Sequence, residues 1–155
     1  MRLMSLPALA VALFCVAIAP HSSNAADALL RVKSDADVPQ SVARLTEAAE
    51  AAGAKVFIVI DHQAGATSVD IPLRPTTLVL FGNPKIGSPA MVEAQTMGLE
   101  VPLRVLVFED EAGDVWLAYE NPADQATRRG VRADNPSIVK MQGALAKLTA
   151  AGAGQ

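Results

Sequence analysis

The chain has 155 residues, 51% of them hydrophobic and only 4% aromatic, with 16 acidic against 13 basic side chains and a formal net charge of −3. That acidic balance, with no Lys/Arg cluster to offset it, excludes a nucleic-acid binder, because neutralising phosphates requires clustered cations. The mean hydropathy of +0.28 is raised by the N-terminal segment, and the remainder has the composition of an ordinary globular domain.

Residues 1–25 are predicted to be a signal peptide. Arg2 supplies the positive start, and the apolar stretch 8–19 is about a dozen residues long, well short of the roughly 20 that a spanning helix needs. Pro20 breaks it. Ser23-Asn24-Ala25 puts small residues where signal peptidase reads them, which predicts cleavage after Ala25, with Ala26 as the second choice. Phe14 is too bulky for the residue before a lipidated Cys15. The expected product is periplasmic or secreted, with no stable membrane insertion once the leader is removed. Cleavage takes away Cys15 and His21, so disulfides, thiol catalysis and thiolate metal sites are excluded and His62 is the remaining histidine. What is left fits a single domain over 27–150, with a disordered tail at 151–155.

A short strand is predicted at Leu29–Lys33, and Asp37 with Gln40 three residues on has capping-box spacing at the start of a helix. Val42, Leu45, Ala49 and Ala52 share one face of that helix, and Gly53 ends it. The run Val56–Ile60 is apolar without alternation, which predicts a central strand buried on both faces. A short helix or loop over 63–69 leads to another apolar strand at Thr77–Phe81, and Ser88-Pro89 reads as the N-cap and first residue of a helix reaching about Gln95. Arg104–Phe108 and Val115–Tyr119 form a hairpin about the acidic turn 109–114. Asn121-Pro122 starts a helix closed by Gly130, and Asn135-Pro136 caps the last helix, whose core stripe is Ile138, Met141, Leu145 and Leu148. The order β-α-β-(α)-β-α-β-β-α-α specifies an α+β fold, with a single mixed, largely antiparallel sheet flanked by helices.

Gly82 to Ser88 has the Gly-x4-Gly spacing of a phosphate-binding loop. Its chemistry does not match, because Ser88 stands where the lysine belongs and Pro84 removes a backbone donor. A Gly/Asn/Pro turn explains the same residues.

Ile60-Asp61-His62, Phe81-Gly82-Asn83-Pro84, Val101-Pro102-Leu103-Arg104, Glu109-Asp110 with Gly113, and Tyr119 occur in the order and rough spacing of one family. Through these motifs the chain resembles the domain of unknown function 302 family from about Leu29 to Leu148, with Val101 where a Leu is common. The resemblance implies a compact α+β domain that tends to form homodimers. It brings no settled reaction.

Two functions remain open from the residues. In the first, the domain binds a small ligand, with His62, Arg104 and Asn83 as candidate contacts. One histidine is too few for a zinc site in one chain. Near a dimer axis, however, two copies of His62 would flank a divalent metal or supply the axial pair of a haem, with Asp61 or Glu109 orienting a ring N–H. In the second, an acid–base enzyme of hydrolase type uses His62 with Asp61, Glu109 and Asp110. That reading lacks a nucleophile, and neighbours on a strand point to opposite faces, so Asp61 and His62 do not pair directly. A structural or interaction module is the third possibility: His62 bonds a nearby loop, Asp61 caps the next turn, the acidic hairpin end is solvated, and Arg74 and Arg104 pair with carboxylates.

Overall fold

The computed structural model describes residues 29–155; the predicted signal peptide and its cleavage site lie outside them. The elements run β1 (Leu29–Lys33), α1 (Val38–Ala51), β2 (Lys55–Asp61), α2 (His62–Thr67), β3 (Thr76–Gly82), α3 (Pro84–Glu93), a 3-10 helix (Gln95–Leu99), β4 (Leu103–Glu109), β5 (Val115–Glu120), α4 (Pro122–Arg128) and α5 (Pro136–Ala153). The strands form one sheet in the order β1-β5-β4-β3-β2, and every pairing is antiparallel. β2 to β5 is a meander. β1 then adds beside β5, so the first and last strands among the described residues are neighbours.

Local chemistry sets the helix ends. Asp37 accepts from the Gln40 backbone N–H at 2.8 Å, satisfying one of the donors a helix start leaves free. Asn83, Asn121 and Asn135 cap α3, α4 and α5 in the same way, each followed by proline at the first helical position. The predicted start of α3 at Ser88-Pro89 is therefore corrected: Asn83-Pro84 is an equivalent signal five residues earlier. Pro89 lies inside the helix, where it has no N–H to offer the Lys85 carbonyl.

α1 and α5 pack on each other and on one face of the sheet. Alternation along the strands sends Val79 and Phe81, Val105 and Val107, and Leu117 and Tyr119 to that face, where all are buried. Leu45 from α1 and Ile138, Met141 and Leu145 from α5 close the core above them. The register aligns Ile60, Leu78, Leu106 and Ala118 in one row across the opposite face, with Leu80 and Phe108 alongside. The leucines and Phe108 are half-buried, so the middle of this second face is apolar as well, with Arg31 beside Ala118 and Arg104 beside Leu80 at its margins.

Two expectations are corrected here. β2 is an edge strand, not a central one, and it leaves Phe57 50% and Ile58 49% exposed. An uninterrupted apolar run marks two apolar faces, and those faces can be lightly covered at a sheet edge. Residues 151–155 do not form a disordered tail either. α5 continues to Ala153, Gly154 ends it in the left-handed conformation at φ 85°, and Gly152 and Ala153 are buried.

The hairpin end between β4 and β5 is organised by one carboxylate. Asp110 accepts from the backbone N–H groups of Ala112 and Asp114, each at 2.9 Å, and from the Trp116 indole at 2.8 Å. The indole bond, and after it the Asp114 amide, hold its pKa below the ordinary 3.8. A carboxyl depressed by folding stabilises the protein above its unfolded pKa, and that contribution is lost as pH falls through the lower folded value. The chain has one tryptophan, so its fluorescence reports this turn. An acid titration of the native protein is expected to show a Trp116 emission change below pH 3.8, and Asp110→Asn to lack it.

Candidate functional site

The sheet, α3, the 3-10 helix and α5 leave a cavity between them. Its volume is about 350 Å³, within the range of roughly 300–1,000 Å³ typical of small-molecule sites. Phe57, Ile86, Met91, Val101, Met141 and Leu148 supply its apolar walls. The space exists because small residues stand where side chains would fill it: Gly82, Gly87, Gly98 and Ala144. No lining residue is charged, and Asn83 and Ser88 are the polar side chains.

The elements that shape this cavity follow from local features. A register shift between Val56 and Ile58 makes Phe57 the extra residue of a bulge in β2, which frees its ring from strict alternation. A Cβ built on Gly82 would stand 3.7 Å from the Phe57 ring and 3.6 Å from Pro102 Cβ, ordinary van der Waals distances, so both side chains pack over this strand end. The Val101-Pro102 peptide is cis, and both residues line the cavity. Asn83 donates its amide to the Gly53 carbonyl at 3.0 Å and accepts from Lys85 N–H at 2.9 Å. Its polar groups thus tie α3 to the end of α1.

The other residues singled out from the sequence lie elsewhere. His62 is the first residue of α2, exposed, and its ring makes no hydrogen bond or ion pair among the described residues. From Phe57 to His62 the strand carries the chain on the order of 15 Å away from the cavity. Asp61 caps α2, accepting from Ala64 N–H at 2.9 Å. Glu109 is half-buried at the end of β4, and its backbone carbonyl accepts from Arg74 Nε at 3.1 Å. The hydrogen bonds of Asp110 are confined to the hairpin turn. Neither Asp61, Glu109 nor Asp110 pairs with His62. Among the described residues no group of three or more His, Cys, Asp or Glu side chains comes together to hold a metal.

Arg104 shares a carboxylate that sequence reasoning passed over. Glu100 is 5% exposed. Arg104 Nη2 donates to it at 3.3 Å, while Arg129 reaches its other oxygen through Nε at 2.8 Å and Nη2 at 2.6 Å. The clamp ties the approach to β4 to the end of α4. Arg129 stands 29 residues from Glu100, and no local pattern announces such a pair.

The family model "Domain of unknown function DUF302" matches residues 30–151. The chain belongs to the DUF302 family. A crystal structure of a DUF302 protein from Bacillus stearothermophilus superposes with a TM-score of 0.66 at 15% identity, covering 82% of this chain and 96% of that one. The DUF302 fold is thus shared where little sequence is. Among curated proteins, "Fluoride-specific ion channel FluC 1" of Brucella suis biovar 1 is 36% identical over 121 residues, covering 78% of this chain and 48% of that protein. The proteins of that name in Brucella abortus biovar 1 and of the name FluC 2 in Brucella melitensis biotype 1 match at the same identity, with 45% of each covered. The DUF302 chain described here spans about half the length of these relatives. Among the described residues no helix is long and apolar enough to cross a membrane.

Proposed function

We propose that this DUF302 domain is an exported small-ligand-binding domain, and that its site is the cavity beneath α3 rather than the surroundings of His62. The observation that carries this reading is a cavity of about 350 Å³ with an uncharged lining. An apolar cavity of about 150 Å³ stays dry and takes up benzene, so this one accommodates an apolar moiety of roughly a dozen heavy atoms. The Asn83 amide and carbonyl are already bonded within the protein, which leaves Ser88 as the other polar side chain of the lining. Calorimetric titration with decan-1-ol tests the reading. The native protein is expected to bind it, and Ala144→Phe, which projects a ring from α5 into the cavity, to lower the affinity by about tenfold or more. His62→Ala is expected to leave it within about twofold. Loss on His62→Ala with no effect of Ala144→Phe would return the site to the histidine, and with it the metal or haem reading.

The homodimer that the family resemblance implies has a suitable surface in the open face of the sheet. Antiparallel sheets that face water on one side carry polar side chains there, whereas the middle of this face presents Ile60, Leu78, Leu80, Leu106 and Phe108. We infer that a second copy covers it. Leu106→Lys is expected to shift the molar mass measured by light scattering from dimer to monomer with the fold retained. A native protein that is monomeric at high concentration would overturn the inference.

A further inference from the structure

The lysines of this chain are distributed unevenly around the cavity. Among the described residues, the arginines other than Arg31 each pair with a carboxylate, and Arg31 lies over the Phe108 ring. Lys33 pairs with Asp114. The other lysines, Lys55, Lys85, Lys140 and Lys147, are all exposed and make no ion pair among the described residues. Each of them stands next in sequence to a residue that lines the cavity: Lys55 after Ala54, Lys85 between Pro84 and Ile86, Lys140 before Met141, and Lys147 before Leu148. On α5, Lys140 and Lys147 are four residues before and three after Ala144, so they flank it on one side of the helix. The Lys55 ammonium lies 5.5 Å from the centre of the Phe57 ring, itself a wall of the cavity.

Nearby carboxylates do not cancel this charge uniformly. Glu100 is compensated by its two arginines, while Glu93 accepts from the neutral Asn135 amide at 2.6 Å and keeps its charge. Glu50, two residues before the lining residue Ala52, is the remaining acidic group close in sequence to the lining. A net-acidic protein thus places four lysines that make no ion pair among the described residues next in sequence to the lining of an uncharged cavity, Lys55 over the Phe57 ring that forms its wall. Cations around a low-dielectric recess focus a positive potential at its mouth.

From this juxtaposition we propose that the cavity takes a single-chain amphiphile with an anionic head, a fatty carboxylate of about ten carbons, the chain length the cavity volume sets. The tail fills the space between α3, α5 and the sheet end, and the carboxylate stays at the mouth among Lys55, Lys85, Lys140 and Lys147. The lysines reach it as mobile, hydrated charges and provide no fixed fork, which suits a flexible head better than a rigid anion. This inference rests on the cavity being the binding site, as argued above.

The test compares ligands that share one tail. Decanoate, decan-1-ol and decyltrimethylammonium are titrated into the native protein at low ionic strength, and into the variant Lys55→Gln, Lys85→Gln, Lys140→Gln, Lys147→Gln. The native protein is expected to prefer decanoate over the alcohol by about tenfold and to bind the cation weakest, since each exposed charge contributes modestly and their sum decides. Raising salt to about 1 M, where the Debye length falls to about 3 Å, is expected to remove the preference. The variant is expected to bind decanoate and decan-1-ol alike, with an unchanged affinity for the alcohol that also reports an intact fold. Equal binding of decanoate and decan-1-ol by the native protein would overturn the anionic-head proposal while leaving the cavity as the site. Failure of the native protein to bind decan-1-ol at all would overturn both.

Discussion

Gly152→Val is expected to destabilise the domain by about 3 kcal/mol, the upper part of the range for overpacking a filled core. A Cβ at this position would lie 2.7 Å from Leu117 Cδ2, 3.1 Å from Leu45 Cβ and 3.4 Å from Leu45 Cα. Leu117 and Leu45 are fully buried, and the Leu45 atoms belong to or adjoin the backbone of α1, so neither leucine has room to retreat. Replacing a helical glycine ordinarily gains up to about 1 kcal/mol in helix propensity, which the clash outweighs. For a domain of this size the loss corresponds to a fall in melting temperature on the order of 10 °C. Gly143 lies in the same helix but has nothing within 4 Å of a Cβ. Gly143→Ala is therefore expected to raise the melting temperature, and a calorimetric scan of the two variants separates crowding from propensity.

The second large effect is expected at Arg129. Arg129→Met leaves the buried Glu100 carboxylate with Arg104 alone, at its longer distance of 3.3 Å. Breaking a buried ion pair costs about 3–5 kcal/mol when the remaining charge has no partner. With Arg104 retained, a loss of about 2 kcal/mol is expected. Glu100→Gln is expected to cost less, because both guanidinium groups are partly exposed and reach water. The double variant Glu100→Met, Arg129→Met removes the stranded charge and is expected to be more stable than Arg129→Met. Urea unfolding of this double variant and of Arg129→Met and Glu100→Met singly measures the non-additivity. A double variant as unstable as the sum of its parts would show that the clamp acts through packing, not charge.

These two positions also show why the sequence is legible in some places and not in others. Asp37, Asn121 and Asn135 were readable as caps because the cap and the donors it serves are neighbours in the chain. The stripe Ile138, Met141, Leu145 and Leu148 was readable because helical periodicity is local too, and all four are buried. The order of strands in space is not local. β2 has the composition of an interior strand, and it lies at the edge because the meander ends there. Glu100 carries no local sign of burial, because its partner Arg129 comes from 29 residues further along the chain. The cavity is the extreme case: its walls come from several strands and helices, and its defining residues are glycines and an alanine, which leave no pattern. His62 was conspicuous by being solitary, and the fold leaves it exposed on α2.

The placement of β1 beside β5 governs how the domain comes into existence. Leu30 pairs with Tyr119 and Val32 with Leu117, the Asp35 N–H donates to the Ala153 carbonyl at 3.1 Å, and the Gln155 amide donates to the Lys33 carbonyl at 3.2 Å. Contacts between segments so distant in sequence form late and all together, since the intervening chain must be ordered before they are rewarded. An incomplete chain that ends before β5 has no partner for β1 and no α5 to cover the sheet. Folding is thus deferred until the last helix is present, and the same closure sets Gln155 against Lys33 at the end of β1.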